Sequence, residues 1–139
     1  MTTAETTATP HYVIDPERSR QLRRAPEVLL LGRRCPSCAA RYEGTGELPP
    51  AEEQLREIAQ CCARQEGFIV PEMPLLEIVF RTLLAAGNRP VSLQQLHDDL
   101  TDRWATPANP RNISPATLRR ILAADTYYGI REVEGQGGA

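Results

Sequence analysis

The chain has 139 residues, 41% hydrophobic and 24% charged, the balance of an ordinary folded protein rather than a disordered or fibrous one. Its formal charge of −2 excludes a protein that coats nucleic acid indiscriminately, and all sixteen basic residues are arginine. The longest apolar stretch, Val28–Leu31, is far too short to cross a bilayer, so no membrane partner is expected.

Residues 1–10 are Thr- and Ala-rich without periodicity and read as a disordered tail. They lack a basic segment followed by an apolar run, so no secretory signal is expected and the expected location is the cytoplasm. His11–Asp15 reads as a short strand. Asp15 as N-cap with Pro16 at the first helical position predicts a helix to Arg24, which Pro26 breaks. Glu27–Leu31 is expected as a buried strand running into Gly32 and the first cysteine pair. Residues 44–50 (GTGELPP) read as a loop. Pro50 opens a predicted helix to about Gln65, with Leu55, Ile58, Ala59 and Cys62 on one face and Gly67 as its stop. Residues 68–74, with two prolines, read as an ordered linker.

Beyond Pro74, Leu75, Leu76, Ile78, Val79, Phe80, Leu83 and Leu84 predict a largely buried helix ended by Gly87. Asn88-Arg89-Pro90 is a turn and Val91 a minimal strand. Ser92 with Gln95 three residues on forms a capping box for a helix that presents Leu96, Leu100 and Trp104. Ser114-Pro115 caps a third helix, with Leu118, Ile121 and Leu122 on its inner face, and 127–133 (YYGIREV) reads as a strand.

Cys35-Pro36-Ser37-Cys38 is the strongest chemical signal. A C-x-x-C turn directs two thiolates at one tetrahedral ion, and zinc is the commonest such ion in the cytosol. The other two ligands are expected from Cys61 and Cys62. Adjacent helical residues project about 100° apart, so both reach one ion only near a helix end or where the helix unwinds. His11 is the alternative fourth ligand, an iron–sulfur cluster fits four cysteines equally, and a thiol-exchange role for Cys35 and Cys38 is a further alternative. The segment RRCPSC resembles one knuckle of a zinc ribbon or treble-clef finger, with Ala39 in place of the usual glycine.

The order helix, minimal strand, helix, helix, strand, with NRPVSLQQL leading into the second helix, resembles bacterial winged-helix domains over about 60 residues. Two departures stand out: the long connection 105–113 between the second and third helices, and a chain that stops soon after Tyr128, leaving room for only a short wing. The resemblance implies that the third helix enters the major groove of double-stranded DNA. Its candidate contacts are Thr117, Arg119 and Arg120 on that helix, with Arg111, Asn112 and Arg131 as flanking phosphate contacts.

The fold expected is therefore mainly α with short strands (α+β): a tail 1–10, a small zinc module 11–67, and a winged-helix domain 72–134 packed against it. The expected function is non-catalytic DNA binding, in transcription regulation or a nucleic-acid-handling complex, with structural zinc and a homodimer or larger assembly for specificity. The alternative is an adaptor whose winged helix docks a protein. Charge leaves this choice open, since residues 73–139 carry seven arginines against seven acids. No glycine-rich phosphate loop or Ser/His/Asp grouping suggests an enzyme. Asp98, Asp99 and Asp102 read as a solvated face, with a nuclease the remote alternative, and His97 reads as a surface residue.

Overall fold

The computed structural model describes residues 9–42, 46–104 and 113–134, the side chain of Trp104 excepted. Residues 1–8 of the predicted tail, Arg111, Asn112, the rest of the connection up to 112 and the place of Trp104 in its stripe lie outside the described residues, while Pro10, expected in the tail, belongs to a strand. What is described is α+β, with seven α-helices, one short 3-10 turn and a three-stranded sheet.

Strand β1 (Pro10–Ile14) leads into helix α1 (Pro16–Gln21), where the Asp15 side chain accepts from the Glu17 amide and Pro16 takes the first turn, as the sequence predicts. Helix α2 (Pro26–Leu31) occupies the segment expected as a strand. The reason is local: Glu-Val-Leu-Leu-Leu behind a proline has one β-branched residue among good helix formers, and Pro26 is pre-set for a first turn. Leu29 and Leu30 face the core while Val28 is 57% exposed. Helix α3 (Pro36–Ala40) starts on the first cysteine, and α4 (Ala51–Gln60) carries Leu55 and Ile58 inward. Helix α4 ends five residues sooner than predicted, at Cys61, and a 3-10 turn (Cys62–Arg64) follows.

Helix α5 (Leu75–Ala85) is the central element, with Ile78, Val79, Phe80, Leu83 and Leu84 buried. Strand β2 (Val91–Ser92), helix α6 (Leu93–Trp104), helix α7 (Pro115–Ala123) and strand β3 (Ile130–Glu134) complete the described chain in the expected order. Ser92 caps α6 by accepting from the Gln95 amide at 3.0 Å, but the Gln95 side chain turns to Asp99 rather than back to the cap. Ser114 caps α7 through the Thr117 amide, and Leu118 and Leu122 are buried beneath it, with Ile121 half-buried.

The sheet order is β2-β1-β3, both pairings antiparallel, with His11 opposite Ser92 and Val133, and Tyr12 opposite Val91 and Glu132. Residues 11–14, grouped with the cysteine segment in the sequence, thus join Pro10 in the middle strand of a sheet whose outer strands come from the C-terminal half. Asn88, at φ 60°, seats the end of β1: its side chain accepts from the Ile14 amide at 2.7 Å and donates to the Ile14 carbonyl at 2.8 Å. Asp125, 2% exposed, accepts from the amides of Tyr127, Tyr128 and Ile130 and so turns α7 into β3.

Gly129 closes that turn at φ 76°, its carbonyl accepting from the Asp15 amide at 2.9 Å. A Cβ there would lie 2.2 Å from the Ser19 hydroxyl oxygen and 3.1 Å from the Asp15 carbonyl, whereas one at Gly67 (φ 85°) would meet nothing within 4 Å. Gly67→Ala should therefore cost only the left-handed penalty, about 1–2 kcal/mol. Gly129→Ala adds a clash with buried atoms and should cost about 1–3 kcal/mol more. Urea denaturation of the two variants checks the difference, and equal losses would contradict it.

Candidate metal centre

The four cysteines reach one place from two separate segments. Cys35 is the N-cap of α3 and Cys38 lies on its inner side, so the proline-started turn brings both thiols to one edge. Cys61 ends α4 with φ −127° and ψ −68°, and this break re-aims it relative to Cys62. The unwinding is the condition under which vicinal cysteines can share an ion. All four Sγ atoms lie within 4.8 Å of one another, with Cys35 and Cys61 at 3.8 Å and Cys38 and Cys61 at 3.3 Å. A tetrahedron with metal–sulfur bonds of about 2.3 Å has edges of about 3.8 Å, so the cluster is near the size of a four-thiolate site before any ion tightens it.

Cys38 and Cys62 are 2% and 1% exposed, while Cys35 and Cys61 are half-buried. Donors face both buried sulfurs. The Cys35 amide donates to Cys62 Sγ at 3.1 Å and Arg41 Nη2 donates to Cys38 Sγ at 3.2 Å. A hydrogen bond with Ser37, then one with the backbone at Cys38, holds the Cys35 thiol down at about 6. Hydrogen bonding to Cys38 and Cys35 pushes Cys61 up to about 11, and burial pushes Cys62 up to about 12. Four neighbouring thiols cannot all ionise unaided, and a shared cation removes that conflict.

His11, the alternative ligand, lies outside this cluster. It sits on β1 with Nδ1 2.9 Å from the Thr9 carbonyl oxygen. His97 is not a surface residue: it is half-buried, its Nε2 2.6 Å from the Ile113 carbonyl oxygen, and it joins α6 to the start of α7. Asp98 and Asp99 accept from Gln94 and Gln95 one turn earlier on α6, a solvated helix face.

Three arginines missed by motif reading frame the cysteine segment. The Arg34 side chain is fully buried, pairs with Glu57 of α4 and stacks over Tyr42, whose hydroxyl also donates to Glu57. Arg41 donates to Cys38. Arg33 makes a two-point contact with Glu77 at 3.0 and 2.6 Å, and Glu77 also accepts from Arg81 at 2.7 Å and Tyr128 at 2.8 Å. Burial alone would raise the Glu77 carboxyl, but hydrogen bonds from Arg33, Arg81 and Tyr128 outweigh it and hold it at about 2. An available signal was the single charge inside the apolar run Leu-Leu-Glu-Ile-Val-Phe.

The predicted nucleic-acid contacts are arranged differently. Arg119 is held by Glu132 through two hydrogen bonds, at 3.0 and 2.8 Å, and Arg131 pairs with Asp15 at 3.0 Å. Arg120 is exposed, with Nη2 3.3 Å from the Thr117 hydroxyl, and flanked by exposed Ala116 and Ala123. Comparison with protein-family models, with curated proteins and with solved structures found no match. No helix among the described residues is long and apolar enough to cross a membrane.

Glu77 links the chain just ahead of Cys35 to α5 and the turn before β3, so its ionisation should be visible in stability. Its folded pKa lies below the unfolded value, so the stabilisation is present above the ordinary carboxylate pKa and is lost as pH falls from about 5 toward 2. At neutral pH Glu77→Gln should cost about 3 kcal/mol. The gap from wild type, measured by denaturation at each pH, should shrink over that window, and a gap independent of pH would contradict the assignment.

Proposed function

We propose that this chain is a non-catalytic recognition protein in which zinc, held by Cys35, Cys38, Cys61 and Cys62, splints α3 to the end of α4 in the N-terminal part, beside a winged-helix-like half that offers α7 to a partner. The observation that carries it is the meeting of four sulfurs from two segments at the spacing of a tetrathiolate site. All-sulfur coordination leaves no open position for substrate, which suits a structural ion rather than a catalytic one. Zinc is favoured over an iron–sulfur cluster because sulfurs within 4.8 Å of one another fit around one ion rather than around a multi-iron core. The likeness to a winged helix is supported by the element order and by α7, capped by Ser114 and anchored by Leu118 and Leu122.

The partner its surface favours is a protein. Two of the described candidate arginines, Arg119 and Arg131, are matched by Glu132 and Asp15, and a dianionic zinc–thiolate centre makes the whole chain more negative still. A specific observation supports the double-stranded DNA reading too. Exposed pairs are worth at most about 1 kcal/mol, so phosphate can compete for those guanidinium groups, and Arg120 between alanines suits close approach to a groove.

Elemental analysis of the purified chain should find one zinc per molecule, and Cys38→Ser should lose it together with most of the folded signal from residues around α3 and α4. A full-length, metal-free chain of unchanged stability would overturn the zinc reading. Duplex binding at 50 and 200 mM salt separates the partners. A DNA binder using four arginine–phosphate contacts should lose about a hundredfold in affinity over that range. The protein-partner reading expects no measurable duplex binding even at 50 mM.

A further inference from the structure

Resting on the zinc reading above, we propose that Cys35 and Cys61 are the oxidant-sensitive edge of the centre: hydrogen peroxide joins them in a disulfide, and the metal is expelled. The four sulfurs are not equivalent. Cys38 and Cys62 are sealed, at 2% and 1% exposure, whereas Cys35 and Cys61 are only half-buried and keep some contact with solvent. Cys35 also lines a surface cleft of about 180 Å³ beside Arg33, Phe68 and Arg81, wide enough for a small oxidant; Cys62 borders the same cleft, but at 1% exposure it leaves Cys35 as the more reachable sulfur. The two accessible sulfurs are already neighbours at 3.8 Å. The closer pair, Cys38 and Cys61 at 3.3 Å, includes a buried sulfur that accepts from Arg41.

The backbone also favours this pairing. Cys35 is the cap residue of α3 and Cys61 the cap residue between α4 and the 3-10 turn, so both stand outside helical conformation and can adjust. Cys61 and Cys62, adjacent in the chain, would close a strained ring instead.

The chemistry balances without a further reactant. The Cys35 thiolate attacks one peroxide oxygen, the O–O bond breaks and hydroxide leaves, giving a sulfenic acid. The Cys61 thiolate attacks that sulfur, the S–S bond forms, the S–O bond breaks and a second hydroxide leaves. Two thiolates lose two electrons to peroxide, which ends as two waters once two solvent protons are taken up. The ion, left with only Cys38 and Cys62, passes to solvent.

The test uses the full zinc-loaded chain treated with hydrogen peroxide, with zinc release followed by a chelating dye and free thiols then alkylated. Trypsin cuts after Arg34, Arg41, Arg56 and Arg64, leaving Cys35 and Cys38 in one fragment and Cys61 and Cys62 in another. Sequencing the cross-linked pair by mass spectrometry therefore assigns the bond. The expected result is one zinc released per disulfide, a Cys35–Cys61 bond, alkylated Cys38 and Cys62, and reversal by dithiothreitol with added zinc. Zinc retained through disulfide formation, or a bond from Cys38 to Cys35 or Cys61, overturns this inference and leaves the structural-zinc reading standing. A chain that holds no zinc before treatment overturns both.

Discussion

The buried carboxylate of Glu77 is the constraint on which the arrangement depends. A charge at 8% exposure costs several kcal/mol in desolvation unless donors surround it, and here three do, from three parts of the chain. Arg81 comes from its own helix, Tyr128 from the turn before β3, and Arg33 from the segment two residues ahead of Cys35. The aromatic rings of Phe80 and Tyr128, 4.9 Å apart, flank the Arg33 guanidinium and keep water away. Losing Arg33 would leave the buried charge matched only by Arg81 and Tyr128, so the cluster favours one position for the cysteine segment against α5. That is a role in uniqueness as much as in stability.

With Arg33 fixed, the next residue sets the other side of the cysteine arm. The Arg34 side chain is buried against Glu57 of α4, the helix that delivers Cys61 at its end. Consecutive arginines therefore point to two different helices, and the chain leaving them has little freedom before Cys35. The stretch between 33 and 50 supplies few apolar residues, with Cys38 itself among its few buried positions. The ion proposed for the four cysteines would offset that shortage by tying α3 to the end of α4 directly, as small lobes with thin cores require. Burial of Cys38 and Cys62 shields the inner half of the cysteine cluster.

Much of this was legible in local sequence, and what was not has a physical cause. Caps at Asp15, Ser92 and Ser114 depend on neighbours within three residues, so they could be read directly. The C-x-x-C turn and the stripe on α4 are likewise local. Residues 27–31 misled because a short leucine run suits a buried helix as well as a buried strand. The place of β1 was invisible for a different reason: its partners lie about 80 and 120 residues away, and no pattern within 10–14 names them. The same holds for Arg119 with Glu132, where each residue alone looks like solvated charge, and for Arg33, whose partner Glu77 stands out in its apolar run without naming what it pairs with. His97 was misread because its acceptor is a backbone carbonyl in another element, and carbonyls carry no sequence signature.

The position of β1 also bears on what α7 can do. As the middle strand, β1 places Tyr12 beneath β3, and its hydroxyl donates to Glu132 at 2.8 Å, the same carboxylate that holds Arg119. Glu132 is thus anchored from below while it draws an α7 arginine toward the sheet. Its carboxyl is held below the usual range chiefly by Arg119, so it remains charged wherever the protein is folded near neutral pH. A phosphate approaching α7 would meet that fixed negative charge beside the arginine it seeks, and freeing Arg119 would leave Glu132 facing the phosphate. A protein surface with its own mixed charges faces no such conflict, because it can offer a cation to Glu132 and an acceptor to Arg120 together. The N-terminal strand, by anchoring one carboxylate, therefore weighs on the choice of partner at a helix more than 100 residues further along the chain.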